Sequence, residues 1–318
     1  MARRQSGMAR GKPVADFPLE FEWQTNDWLK IFDEHVDLIK SDIYRAKMED
    51  RVIVYLSCPI SSRGGGYHGT NVEIAKHTER RLLADWGHRF WILNPAQYQM
   101  ESKEGSGLIQ RHARMLNISR DRLDALGRPT GGDYMRMWTR VLVENSLTSK
   151  KEEDLPNRGL NFDAFYFLGP TDVRQFFSTG GAASVTAGIE DYFSRKFTMD
   201  PDFKDCYSVQ GIRWDAKWEL HAPSGQKKHT QKELRDEWEE RRKDFFRFYA
   251  VRTSVNFSLG SHDEWNIFRL INEARLRAST NATTRSGDPG RLLAGFFDGR
   301  QIPPGAAVSA VSAGHAIP

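Results

Sequence analysis

A short apolar run that passes directly into a glycine-rich stretch constrains this chain more than any other feature. Val52-Ile53-Val54-Tyr55-Leu56 is apolar and rich in β-branched residues, the pattern of a strand buried on both faces of a parallel sheet. The next twelve residues, Cys58 to Gly69, hold four glycines, two serines and Arg63. Such a loop lets the backbone approach a ligand closely and presents free N–H groups to an anion. Thr70-Asn71-Val72-Glu73 has the form of a capping box, and Val72, Ile74, Ala75, Thr78, Leu82 and Leu83 recur at helical spacing before Gly87. Arg89 to Leu93 is a second short apolar run, stopped by Asn94-Pro95. The unit is therefore strand, loop, helix, strand, a βαβ crossover. It matches neither a P-loop nor a dinucleotide fingerprint. A plain surface loop is the competing reading of the glycines.

A second buried strand is expected at Phe162 to Gly169, turned by Pro170-Thr171-Asp172, with its carboxyl end near Ser57. In open α/β sheets ligands bind beyond the carboxyl ends of the strands, so the glycine-rich stretch and the small-residue segment Ser178 to Ser184 are expected to meet there. The fold class is α/β: a doubly wound, mainly parallel sheet flanked by helices, with a helical C-terminal addition. Residues 1–20 read as a disordered basic arm, 21–200 as the α/β catalytic domain, 201–278 as a mostly helical subdomain and 279–318 as a flexible tail. Amphipathic helices are expected from Phe21 to Lys47, with Trp28, Leu29, Phe32, Val36, Ile39 and Ile43 on one face, around Tyr134 to Leu142 with Asp133 at its N-cap, over Thr230 to Tyr249, and after the start signal Ser261-His262-Asp263-Glu264. Leu108 to Leu126 reads as one or two short helices with His112 solvated, and the Gly-Ser-Gly stretch before it as a mobile segment or a flap over the site.

Composition narrows the partners. The chain has 318 residues, with 46 basic against 42 acidic ones, a nearly balanced surface that makes nucleic acid an unlikely partner. Cys58 and Cys206 have neither metal spacing nor a disulfide framework, which points to a reducing, cytoplasmic setting. No run has the length and apolarity of a membrane span. His68, His77 and His88 lack ligand spacing, so no metal and no cofactor are expected; His68, inside the loop, is the histidine placed to touch a ligand.

Tyr55-Leu56-Ser57-Cys58-Pro59-Ile60 with Arg63-Gly64-Gly65, Asn94-Pro95, Gly132-Asp133-Tyr134, the Asp163 strand and Gly188-Ile189-Glu190 together resemble the nucleoside 2-deoxyribosyltransferase family and its deoxynucleoside-monophosphate N-glycosidase branch. The resemblance covers roughly the middle half of the chain by short motifs. It implies a nucleotide or nucleoside substrate, a glutamate that attacks the anomeric carbon, an aspartate that assists the leaving base, and a homodimer. Carried over, Glu190 is the nucleophile, Tyr55 orients it and Asp133 contacts the sugar or base. Ser57, Ile60, Arg63, Gly64, Gly65 and His68 hold the phosphate or substrate, with Ser178 or Ser184 contributing. The family's acidic-serine-glycine-threonine approach to the glutamate has Ser178-Thr179-Gly180-Gly181 as its nearest counterpart ahead of Glu190. A non-catalytic nucleotide sensor, a NAD-glycohydrolase-like enzyme, and a nucleic-acid- or partner-binding protein using the basic arm and the C-terminal helices stand as alternatives.

Overall fold

The computed structural model describes residues 7–61, 66–100, 103–145, 158–201, 203, 213–214, 220–221, 231–255, 258–281, 292–312 and 314–317. The chain divides into two compact units. The first comprises residues 1–59, 79–168 and 258–318, and the second residues 60–78 and 169–257.

The first unit is built on a five-stranded sheet of β3 (Val52–Ser57), β4 (Phe90–Leu93), β5 (Ala164–Phe167), β8 (Ala294–Phe297) and β9 (Arg300–Gln301), in the order β4-β3-β5-β8-β9. The first four strands run parallel, and β9 pairs antiparallel to β8 as a hairpin at one edge. From β3 the chain goes first to one neighbour, β4, and later to the other, β5. The sheet thus reverses direction at β3, which makes the carboxyl ends of β3 and β5 its topological switch point. Ser57 stands opposite Phe167 there, and the Leu168 amide donates to the Ser57 carbonyl at 3.0 Å.

Side-chain alternation along the strands sorts the two faces. Tyr55 packs on Trp138 of α5 (Gly131–Val143), with ring centroids 5.8 Å apart, and on Phe162 and Phe165. Phe165 and Phe167 continue that face onto Phe268 and Trp265 of α9 (Leu259–Asn281). On the opposite face Tyr166 meets Trp86 at the end of α2 (His68–Trp86) and accepts a hydrogen bond from Arg81. Helix α1 (Asp27–Met48) is capped by Asn26, whose side chain accepts from the Trp28 amide, and it buries Trp28, Ile31, Phe32, Val36, Ile39 and Ile43 as one stripe. Helices α3 (Lys103–Met115) and α4 (Arg120–Leu126) follow β4.

Several expectations differ from what is observed. Residues 8–11 are not a mobile arm: β1 (Met8–Gly11) pairs with β2 (Phe21–Gln24), and Phe17 and Phe21 are fully buried, so aromatic anchors order a segment with no periodicity. The last residues are not all tail either, because β8 is an interior strand of the sheet and Ile317 bridges to Glu20. Four residues suffice for β8 because its neighbours supply the pairing. Helix α9 belongs to this unit and packs on α5 rather than to a separate C-terminal subdomain. The Gly-Ser-Gly stretch forms the first turns of α3, where a Cβ on Gly105 would meet the Gln99 carbonyl at 1.8 Å. His112 is buried, 3.1 Å from His35, and burial pushes His35 down to about 4.

The second unit holds the first part of α2, then α6 (Pro170–Ser178), α7 (Val185–Met199), the short antiparallel pair β6 (Arg213–Trp214) and β7 (Leu220–His221), and α8 (Gln231–Arg252). Its core is aromatic, with Phe193 stacked among Phe177, Phe203, Phe245 and Tyr249. The flanks of the glycine-rich loop are tied down inside it. Asn71 donates to the Ile60 and Ser61 carbonyls, Tyr249 accepts from the Tyr67 amide, and Arg252 donates to Asn71.

A close contact between the five-stranded sheet and α9 is at Gly295, where an added Cβ would lie 2.6 Å from the Phe268 ring and 2.8 Å from Ile302. Gly295→Ala is expected to destabilise the protein by roughly 1–3 kcal/mol through overpacking. A urea midpoint equal to that of the wild type would refute this contact.

Candidate functional site

At the carboxyl end of β3 three polar side chains converge inside the first unit. The Tyr55 hydroxyl donates to Glu264 Oε1 at 2.6 Å, and the Ser57 hydroxyl donates to Glu264 Oε2 at 2.5 Å. All three are buried, with Tyr55 0% exposed, Ser57 1% and Glu264 6%. Tyr55 and Ser57 reach the same face because they are two residues apart on a strand. Glu264 arrives from the second turn of α9, on the stripe it shares with Ile267, Phe268 and Ile271, each fully buried. That spacing of three, four and seven is the core face of the helix, and Glu264 occupies it with a carboxyl group.

The electrostatics follow from this placement. Burial pushes Glu264 up to about 7, with a further push from neighbouring Asp263, while the hydrogen bonds from Ser57 and Tyr55 pull in the other direction. No cation pairs with Glu264 among the described residues, so desolvation prevails. Tyr55 is pushed well above the ordinary phenol value, first by burial and then by Glu264. It therefore stays protonated and acts as a donor. Asp263 turns the other way on the helix and accepts the amides of Gly314, His315 and Ala316 at 2.9, 2.5 and 3.2 Å. Gly314 is needed for that approach, since a Cβ there would stand 1.8 Å from the Leu259 carbonyl.

The residues expected from sequence separate into distinct roles. Tyr55 and Ser57 stand together in the site just described. Asp133 is buried but serves the fold: it is the third residue of a capping box with Thr130, whose side chain is the actual N-cap, and it also accepts from the Gln24 amide at 2.8 Å. Glu190 lies on α7 in the second unit with an exposed side chain. Ser184 is the N-cap of α7, and exposed Ser178 donates back to the Arg174 carbonyl. Ile60 is buried with its carbonyl bonded to Asn71, and His68 begins α2, so that helix starts two residues before the expected box. Arg63, Gly64 and Gly65 lie outside the described residues.

The sequence pattern presents Glu264 as part of a helix start signal. Two features of the sequence mark it more strongly: it is a carboxylate on an apolar stripe, and Ser258-Leu259-Gly260-Ser261 stands just ahead of it. Among the described residues no helix is long and apolar enough to cross a membrane. Compared with known proteins, the chain matches no family model, no curated protein and no solved structure.

The raised value of Glu264 carries a stability consequence. The folded state holds its proton more tightly than the unfolded chain, so stability is lost as pH rises from the ordinary 4.5 through about 7, by about 3 kcal/mol in total. His35, whose value is lowered, works in the opposite sense over the overlapping range above about 4, so the comparison must be between wild type and variant at each pH. Glu264→Gln is expected to be more stable than the wild type at pH 8 and no more stable at pH 5, measured by urea denaturation. An equal loss of stability at both values would show that the buried carboxyl titrates normally.

Proposed function

We propose that this chain cleaves or transfers the N-glycosidic bond of a nucleotide or nucleoside, with Glu264 as the carboxylate that meets the anomeric carbon. The observation that carries the reading is a buried carboxyl at the switch point of a doubly wound sheet, gripped through both oxygens by Tyr55 and Ser57 and poised near neutrality. The Ser258-Leu259-Gly260-Ser261 run ahead of Glu264 supports it as a partial counterpart of the acidic-serine-glycine-threonine approach that the resemblance to nucleoside 2-deoxyribosyltransferases implies, with the glycine and a following hydroxyl kept, leucine in place of the serine and no acid. In this assignment Tyr55 keeps the orienting role and Glu264 takes the place given to Glu190.

The chemistry follows from the geometry. Two donated hydrogen bonds fix the plane of the carboxylate, and each oxygen retains a further lone pair. One ionised oxygen attacks the anomeric carbon as the carbon–nitrogen bond breaks, and that bond's electron pair leaves on the base nitrogen, which takes up a proton. Water, or the nitrogen of a second base, then attacks the same carbon and releases the carboxylate, passing from hydrolysis to transfer by the choice of acceptor. Tyr55 remains a phenol throughout, and the oxocarbenium character of the transition state is met by the negative charge beside it.

The test is release of free base from deoxynucleoside monophosphates, nucleosides and NAD, followed by chromatography. Glu264→Gln should lower kcat at least about a thousandfold, Tyr55→Phe about ten- to a hundredfold, and Glu190→Gln less than about twofold, as expected of an exposed residue. For the wild type, kcat/KM should rise with pH, reach half its maximum near 7, where Glu264 ionises, and level off above that. Base release by Glu264→Gln at the wild-type rate would remove the assignment, and no release by the wild type from any of these substrates would remove the activity.

A further inference from the structure

A cavity of about 760 Å³ opens in the first unit between the start of α1 and the helices α3 and α4. Its volume is in the range of small-molecule sites, and neither Tyr55, Ser57 nor Glu264 lines it. Apolar side chains line much of it, Trp28, Ile109, Ala113, Ile118 and Leu123, beside the polar Ser106 and Gln110. The Trp28 indole N–H is already spent on the Gly127 carbonyl at 3.0 Å, so the tryptophan offers the cavity hydrocarbon and ring face only. Charge enters at the margin, where Arg114, Arg120 and Arg128 contribute three guanidinium groups against the single carboxylate of Asp124.

That carboxylate does not neutralise them. Arg120 and Asp124 are 3.6 Å apart with side chains 77% and 70% exposed, an ion pair weakened by water. Arg114 is exposed and uses its Nε on the Gln110 carbonyl at 3.2 Å. Arg128 has no carboxylate partner among the described residues. Guanidinium groups are suited to bidentate capture of a carboxylate or phosphate, and here they stand at the mouth of an apolar chamber.

We propose that this cavity is a second binding site, for an organic anion whose hydrocarbon or aromatic body fills the chamber while its carboxylate or phosphate is held by Arg114 and Arg128. The proposal is independent of the glycosidic chemistry assigned to Glu264.

Calorimetric titration of the full chain with decanoate, decanol and decyltrimethylammonium tests it. These probes share a chain and differ in the head group. Decanoate should bind with one-to-one stoichiometry, at least about tenfold more tightly than decanol, and the cation should bind more weakly than either. Leu123→Trp fills the chamber and should abolish binding of all three while leaving base release unchanged. Arg114→Glu combined with Arg128→Glu should reduce decanoate affinity at least about tenfold and leave decanol unaffected. Circular dichroism checks that each variant is folded, and the exposed arginine pair decides the matter should the tryptophan variant fail to fold. Decanoate binding no tighter than decanol, wild-type affinity in a folded filled-cavity variant, or no saturable decanoate binding below millimolar concentration would each overturn the proposal.

Discussion

A carboxyl group buried with no cation beside it among the described residues organises the first unit. Glu264 cannot be solvated where it stands, so both of its oxygens must be met by hydroxyl donors, and the sheet provides them from alternate positions of one strand, Tyr55 and Ser57. This fixes the rotation of α9 about its axis, since only one register puts Glu264, Ile267, Phe268 and Ile271 against the sheet together. The adjacent Asp263 then faces a different direction, where three backbone amides from 314–316 satisfy it. Two successive acids on one helical turn thereby tie the end of the chain and the middle of the sheet to the same element.

Much of the scaffold was legible from sequence because its signals are local. Val52 to Leu56 and Phe162 to Gly169 are short, apolar runs bounded by turn-formers, which mark the buried strands observed at Val52–Ser57 and Ala164–Phe167, and the stripe from Trp28 to Ile43 allows one helical face only. What escaped was non-local. β8 is four residues, Ala294-Gly295-Phe296-Phe297, inside a segment whose glycine and proline content reads as a tail. Only its neighbour β5 makes it a strand. The ordering of residues 8–11 likewise comes from pairing with β2 and from Phe17, not from any periodicity of their own.

The site divides in the same way. Tyr55 and Ser57 could be singled out because they end a central strand, and position alone makes such residues functional candidates. Asp133 looked equally promising but its carboxylate completes a capping box, a role that short acidic residues near helix starts commonly fill. Glu190 and Glu264 illustrate the deciding criterion. Both follow small-residue segments and both lie on helices, yet Glu264 interrupts an apolar stripe whereas Glu190 is exposed. A charge that breaks hydrophobic periodicity is costly to the fold, and that cost is a sharper pointer to function than proximity to glycines.

That cost also bears on how the proposed reaction gains its rate. A carboxylate already paired with lysine or arginine would interact with substrate and transition state through a partly neutralised field. Glu264 has no such partner among the described residues, and its two hydroxyl donors orient it without supplying a full positive charge. The first cation to appear beside it in the proposed reaction is the oxocarbenium-like sugar itself. The attraction is then absent from the free protein and weak with a neutral glycoside, and it becomes strong only as the carbon–nitrogen bond stretches, in a site of low dielectric where such attraction is largest. Interactions that strengthen only at the transition state are those that accelerate chemistry. The burial that makes Glu264 reluctant to ionise is thus the same feature that would make its charge effective once formed.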